Sequence, residues 1–199
     1  WWQSPDTAIY QFIGEDNIYF YGVAQQAMFM GTQAKNLDDI SAEPKSGQLQ
    51  LSQLIVNNHL LFLNTKASSS GKVKPPLAAE LLEHYTSDQL RTHFFALGLG
   101  IRSVGFKPKP FNPNATDKEA DPVLKEGNLL CNVFNRIIRS CFYTAQKYFD
   151  GYLPNSLASV TIKEEADDVT LAFERLMFDQ EFHLAIATLD KYIRSISKY

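Results

Sequence analysis

Cysteine and histidine are scarce in this chain, two and four respectively in 199 residues, and their spacing excludes the chemistries they usually serve. Cys131 and Cys141 lie in a segment of helical pattern and match neither a CxxC redox pair nor zinc-ligand spacing, so both are expected in the core. His59, His84, His93 and His183 form no HxxxH or HExxH arrangement, and no metal site can be assembled from them. A strong excess of one charge is also missing. The formal net charge is -3 and the pI near 5.8, which excludes a uniformly basic nucleic-acid binder but leaves room for a local basic stripe. No apolar run approaches the roughly 20 residues of a membrane span, and no basic stretch followed by an apolar one opens the chain. The expected location is cytoplasmic, with no membrane partner. Hydrophobic residues make up 45%, enough for a core. The chain opens on Trp1-Trp2 without an initiator methionine and stops at Tyr199 inside a helical pattern, so it reads as a fragment of something longer.

The expected fold class is α/β followed by all-α. Ile9 to Ile13 reads as a strand ending at Gly14, and Asn17 to Met30 as a helix. Asn36 to Gly47 is a polar surface connection. Leu54 to Leu63 is an apolar run broken by Asn57, Asn58 and His59, which suits one or two buried strands. After Pro75-Pro76, Leu77 to Tyr85 and Ser87 to Leu97 have helical periodicity, with Ser87-Asp88 as the expected N-cap. Residues 106–121 are rich in proline and contain Asn112 and Asn114, so they read as a linker. Beyond it, helices are expected over Val123–Phe149, Ala166–Phe178 and Phe182–Ser197, the first ended by Gly151 and Pro154. The expected division is therefore 1–105, linker 106–121, and an antiparallel helix bundle over 122–199.

Three places could carry chemistry. Thr65 to Lys74 is a loop with Lys66, Lys72, Lys74 and three serines, and its Gly71-Lys72 invites a P-loop reading. That motif needs glycine at position 66 and Ser or Thr at 73, where Lys66 and Val73 stand. Composition alone reads the segment as a solvated loop, although its ammonium and backbone N–H groups could approach a polyphosphate. On the long helix, Asn128, Asn132 and Arg136 recur every four residues, with Asn135 and Arg139 beside them, on an otherwise apolar surface. This stripe is either a solvated face or a reader of unpaired RNA bases, since amides and guanidinium groups match base edges and phosphates. Gly14-Glu15-Asp16 would let a ligand near the backbone and offers a carboxylate to ribose hydroxyls, yet the same residues are ordinary in turns.

Taken in order, these places resemble the class I methionyl-tRNA synthetases, from the later part of the catalytic domain into the anticodon-binding helices. Trp2-Gln3-Ser4-Pro5-Asp6-Thr7 through Tyr10-Gln11-Phe12-Ile13-Gly14-Glu15-Asp16 is similar to the family's W-x-x-P-x-T-x-x-Y-H-F-I-G-K-D stretch. Lys66-Ala67-Ser68-Ser69-Ser70 stands in the place of the KMSKS loop, and Asp88-Gln89-Leu90-Arg91 resembles the D-x-L-R-Y helix behind it. Asn128, Asn132 and Arg136 match N-x3-N-x3-R of the anticodon helix, and Tyr148-Phe149-Asp150-Gly151 matches its Y-F-D-G ending.

The resemblance implies activation of methionine with ATP, accompanied by Mg2+, to an adenylate and transfer to tRNA. It implies that Lys66 and Lys72 act on the leaving pyrophosphate, and that Gly14, Asp16, Asn57, Asn58, Lys66, Ser68 and Ser70 contact ATP or the adenylate. It further implies that Asn17 and Tyr21 belong to the amino-acid pocket, and that Asn128, Asn132 and Arg136 face the anticodon. The sequence departs from the pattern at several points. Ser69 replaces the second loop lysine, Gln11 a histidine, Glu15 a lysine, Tyr21 a pocket histidine, and Asn57-Asn58 a histidine-glycine pair. These departures leave the amino acid, methionine or another, open. About one helical turn is expected to be inserted between Arg136 and Phe149. The HIGH motif and the zinc-bearing insertion are not in this sequence, so the segment alone is expected not to catalyse adenylation. The alternatives are a synthetase-like paralogue without catalysis that binds tRNA or acts as a scaffold, and an unrelated interaction module.

Overall fold

The apolar run before Gly14 forms β1 (Tyr10–Gly14), and the chain leaves it through a tight 3-10 turn at Glu15–Asn17. The following helix opens with a π turn, Tyr19–Ala24, and continues as α1 (Gln25–Gln33). β2 (Gln53–Asn57) pairs with β1 in parallel, in register from Tyr10 opposite Gln53 to Gly14 opposite Asn57. The amide of Gln11 ties this sheet to the helix, donating to Ser52 Oγ at 2.5 Å and Gln25 Oε1 at 3.3 Å. Residues Trp1–His59 with Leu99–Ser103 make up this unit, and Leu60–Gly98 with Val104–Tyr199 make up a second one. The structure is a computed structural model and describes residues 1–39, 44–67, 70–71, 73–153 and 155–198. Pro154, expected to help end the long helix, lies outside the described residues.

In the second unit β3 (Leu60–Phe62) turns back through Leu63 and Asn64 into β4 (Thr65–Lys66), so the expected second strand is the start of a hairpin. Both turn residues have positive φ, 49° and 65°, as a two-residue hairpin turn requires. After α2 (Ala78–Leu82) and α3 (Ser87–Ala96), β5 (Val104–Phe106) pairs in parallel with β3, giving the order β4-β3-β5. The helix cap differs from expectation: Thr86, not Ser87-Asp88, caps α3. Its hydroxyl accepts from the Gln89 N–H at 3.2 Å while Gln89 Oε1 accepts from the Thr86 N–H at 2.9 Å.

The start of the proline-rich stretch is packed rather than merely connecting. Phe106 and Pro108 are buried, and Phe111 lies against the same core of Phe62, Leu81, Tyr85, Leu90, Phe106 and Val123. Asp121 then joins this core to the long helix. One carboxylate oxygen accepts from the Val123 N–H as an N-cap and the other from the Tyr85 hydroxyl at 2.8 Å. The long helix runs as α4 (Pro122–Asn128), a π turn over Leu129–Phe134, and α5 (Asn135–Phe149), ending at Asp150 in the left-handed region. Gly127 lets α4 lie against α3, since a Cβ there would come within 2.9 Å of Gln89 Cβ and 3.0 Å of its Cα. α6 (Val160–Phe178) and α7 (Phe182–Ile196) form a hairpin through Asp179–Glu181, with Ser195 Oγ donating to Glu165 Oε1 at 3.2 Å. α7 packs Ile193, Ile186 and Leu189 on Leu129, Val133 and Ile137 of the long helix.

His93 is buried beside Phe94 and Phe106, and neither ring nitrogen has a hydrogen-bond partner among the described residues. Burial pushes its pKa below the ordinary value, against the opposing pull of Asp121. Below about pH 6.5 the unfolded chain therefore binds a proton that the folded chain refuses. Stability should fall as the pH drops through that region toward the lowered folded value. His93→Gln should remove this share of the slope in urea unfolding compared at pH 7.5 and 5.5; an unchanged slope would reject it.

Candidate functional site

Parallel strands leave their carboxyl ends open to a ligand, and here those ends are Gly14 of β1 and Asn57 of β2, directly opposite each other. The backbone of Gly14 is extended, so any residue could adopt it; the glycine matters for space. A Cβ there would stand 2.8 Å from Asp16 Oδ1, where the carboxylate now folds back over the strand end. Asn17 Nδ2 donates to that same oxygen at 3.3 Å. His59, which follows β2, places Nδ1 against Glu15 Oε1 and Nε2 3.7 Å from Asp16 Oδ2. The result is a partly exposed imidazole bracketed by two carboxylates at the mouth of the sheet. Asn58 donates through both its backbone and its side-chain amide to the Leu99 carbonyl, at 2.8 and 2.9 Å.

Tyr21 sits in the first π turn and is 39% exposed. The turn directs the Gln25 N–H to the Phe20 carbonyl, and the Gln26 side chain donates to the Tyr21 carbonyl at 3.3 Å. Single π turns recur where helices serve a function, because the extra residue re-aims side chains. Tyr19 and Phe20 alongside are 65% and 61% exposed, so the helix presents an aromatic face.

In the second unit Lys66 projects from β4 opposite Leu61 and is exposed, as are Ser70 and Lys74. Ser68, Ser69 and Lys72 lie outside the described residues. The hairpin thus carries Lys66 at a fixed position of a strand just before the serine loop.

The second π turn coincides with the Asn-Asn-Arg stripe. Its i→i+5 bonding takes more residues per revolution than the 3.6 of an α-helix, which brings residues four apart into closer alignment. Asn132 Nδ2 donates to Asn128 Oδ1 across it, and Asn135 Nδ2 donates to the Cys131 carbonyl at 3.3 Å. Leu129 and Val133 are buried against α7, whereas Asn132, Asn135 and Arg136 beside them are exposed and line an open groove. The cysteines are not both in the core: Cys141 is exposed and Cys131 half-buried, because the wide turn and the following turns of α5 present that side of the helix to solvent.

Sequence reasoning passed over His59, Gln26 and the two π turns. Only the position of His59 just past the apolar strand hinted at the first. Among the described residues no three His, Cys, Asp or Glu side chains converge as a metal site, and no helix is long and apolar enough to cross a membrane.

The model of the family described as tRNA synthetases class I (M) matches residues 1–136. The methionine–tRNA ligase of Chloroflexus aggregans is 33% identical over 144 residues, covering 70% of this chain and 23% of the relative. That of Salinispora tropica is 28% identical over 184 residues, covering 90% of this chain and 28% of the relative. The crystal structure of Mycobacterium tuberculosis methionyl-tRNA synthetase bound by methionyl-adenylate superimposes with a TM-score of 0.71 over 98% of this chain and 34% of that one, at 18% identity, a likeness of fold. The chain therefore spans between 23% and 28% of the length of these two curated relatives. A match that starts at Trp1 and runs to the arginine of the long helix, with relatives aligned well past it, leads to one conclusion: the chain belongs to the methionyl-tRNA synthetase family of class I aminoacyl-tRNA synthetases.

Proposed function

We propose that this chain supplies part of the ATP site and part of the tRNA-binding surface of a cytoplasmic methionine–tRNA ligase. Residues 1–105 correspond to the later part of the catalytic domain. Residues 106–121 lead into 122–199, the helices of an anticodon-binding bundle. The observation that carries the reading is the register of Gly14 with Asn57 at the carboxyl ends of two parallel strands, in a chain of this family.

In the reaction, a methionine carboxylate oxygen bonds to the α-phosphorus of ATP as the bond to pyrophosphate breaks; the adenylate then passes the methionyl group to the terminal adenosine of tRNA. Asp16 can accept hydrogen bonds from ribose hydroxyls, and Gly14 and Asn57 leave the strand ends accessible to the adenylate. Asn17 and Tyr21 line the amino-acid pocket. Lys66, with Lys72 and the loop hydroxyls of Ser68 and Ser70, meets the phosphates, and Mg2+ accompanies ATP. Asn58, its side-chain amide held on the Leu99 carbonyl, contacts the adenylate from the adenine side. The open groove over Asn132 and Arg136, with Asn128 holding Asn132, receives anticodon bases.

The binding half of this reading can be tested on the chain itself. Arg136→Ala should weaken an anticodon stem-loop of methionine tRNA by about 1.5–3 kcal/mol, the range for hydrogen bonds to a charged group. Fluorescence anisotropy at low salt measures it. Equal affinity for both proteins would reject the assignment.

A further inference from the structure

We infer that the RNA-binding face of the long helix continues beyond Arg136 through Arg139, Tyr143 and Lys147, with the Tyr143 ring stacking on an unpaired base. The inference rests on the reading that Asn132 and Arg136 meet unpaired RNA. From Asn132, the positions 136, 139, 143 and 147 follow at spacings of four, three, four and four, which is one face of a helix. The groove above Asn132 and Arg136 is also lined by Arg139, Tyr143 and Thr144, so the two sets share one continuous surface.

Charge singles out this surface. Between Glu126 and Asp150 the sequence has no carboxylate and three cations, Arg136, Arg139 and Lys147, in a chain whose net charge is -3. Such a stretch attracts a polyanion although the whole protein is acidic. The aromatic rings select which polyanion. Tyr143 is 62% and Tyr148 65% exposed, and the Lys147 ammonium lies 5.4 and 5.1 Å from their ring centres, a cation–π arrangement that keeps the charge beside the rings. An acidic peptide would use the cations and leave the ring unused. A single strand of RNA uses both, with phosphates on the cations and a base on the ring.

The test uses this chain and two labelled RNAs: a hairpin carrying the anticodon loop of methionine tRNA, and its stem closed as a blunt duplex. Tyr143→Ala should weaken the hairpin about 5- to 140-fold, the range for one lost stacked base, and Tyr143→Phe should keep wild-type affinity. Arg139→Ala and Lys147→Ala should each reduce the slope of log affinity against log salt by about 0.7, as one phosphate contact does. The duplex, which offers no unpaired base, should bind weakly and alike to wild type, Tyr143→Ala and Tyr143→Phe. If Tyr143→Ala binds as wild type while Arg136→Ala is weakened, the inference fails and the anticodon reading stands. A Tyr143→Phe as weak as the alanine variant overturns stacking. If neither Arg136→Ala nor Tyr143→Ala changes hairpin binding, the reading and the inference fall together.

Discussion

Phe106→Ala lowers the unfolding free energy of the second unit by about 3–5 kcal/mol, the range for deleting a buried phenylalanine side chain. Phe106 is 3% exposed on β5, with ring centres 6.5 Å from Phe62, 5.3 Å from Phe94 and 5.8 Å from His93. It stands where the sheet, α3 and the start of the long helix share one core with Leu81, Leu90 and Val123. Removing the ring forfeits its burial and leaves a cavity that the aromatic neighbours and the paired β3 cannot close without breaking the sheet register. Domains are stable by only about 5–15 kcal/mol, so the loss is a large share of the total. Urea unfolding followed by circular dichroism measures it, and Phe106→Leu should lose much less. A loss under about 1 kcal/mol for alanine would contradict the packing described.

The second large effect concerns catalysis in a full-length protein carrying this segment. Lys66→Ala should slow methionine-dependent ATP–pyrophosphate exchange by about 100- to 1000-fold, the usual cost of removing one donor aimed at transition-state charge. The effect should fall on kcat rather than on KM for methionine, because pyrophosphate gains its charge only as the bond breaks. Ser69→Lys should move the rate the other way, since on the proposed equivalence of this segment with the family's lysine loop it restores a second cation. An unchanged rate for Lys66→Ala would reject the lysine's role. Exchange undetectable in the unsubstituted protein, alongside intact RNA binding, would establish the synthetase-like paralogue instead.

Much of this architecture was legible in the sequence because its signals are local. The strand before Gly14, the helix after Thr86 and the long helix ending at Asp150-Gly151 each carry periodicity and punctuation within a few residues. β5 was not legible: Val104-Gly105-Phe106 is short, contains glycine and runs into prolines, and only pairing with β3 makes it a strand. The cap at Thr86 was missed because Ser87 and Asp88 are equally good capping types, and only the reciprocal bonds with Gln89 decide among them. The bracket around His59 joins residues 44 apart in sequence, which no local spacing can announce. The π turns hid inside segments that are largely apolar, where one extra residue does not disturb the pattern. The candidate residues themselves were found through order along the chain, whereas the engagement of Asn58 with Leu99 required coordinates.

The π turn at Leu129–Phe134 makes the helix behave like a ruler with one additional graduation. Each residue of an α-helix corresponds to about 100° of rotation. Loss of a single residue within that turn would let it close to an ordinary α turn, keeping Leu129 and Ile137 on α7 and Arg136, Arg139 and Tyr143 on their face. Loss of one from the regular helix between Ile137 and Arg139 would instead turn Arg139 and Tyr143 by about 100° away from Arg136. Secondary structure and most of the core would survive either deletion, yet only the second would change the face offered to a partner. Recognition by this helix is thus written in how many residues it holds as much as in which residues they are.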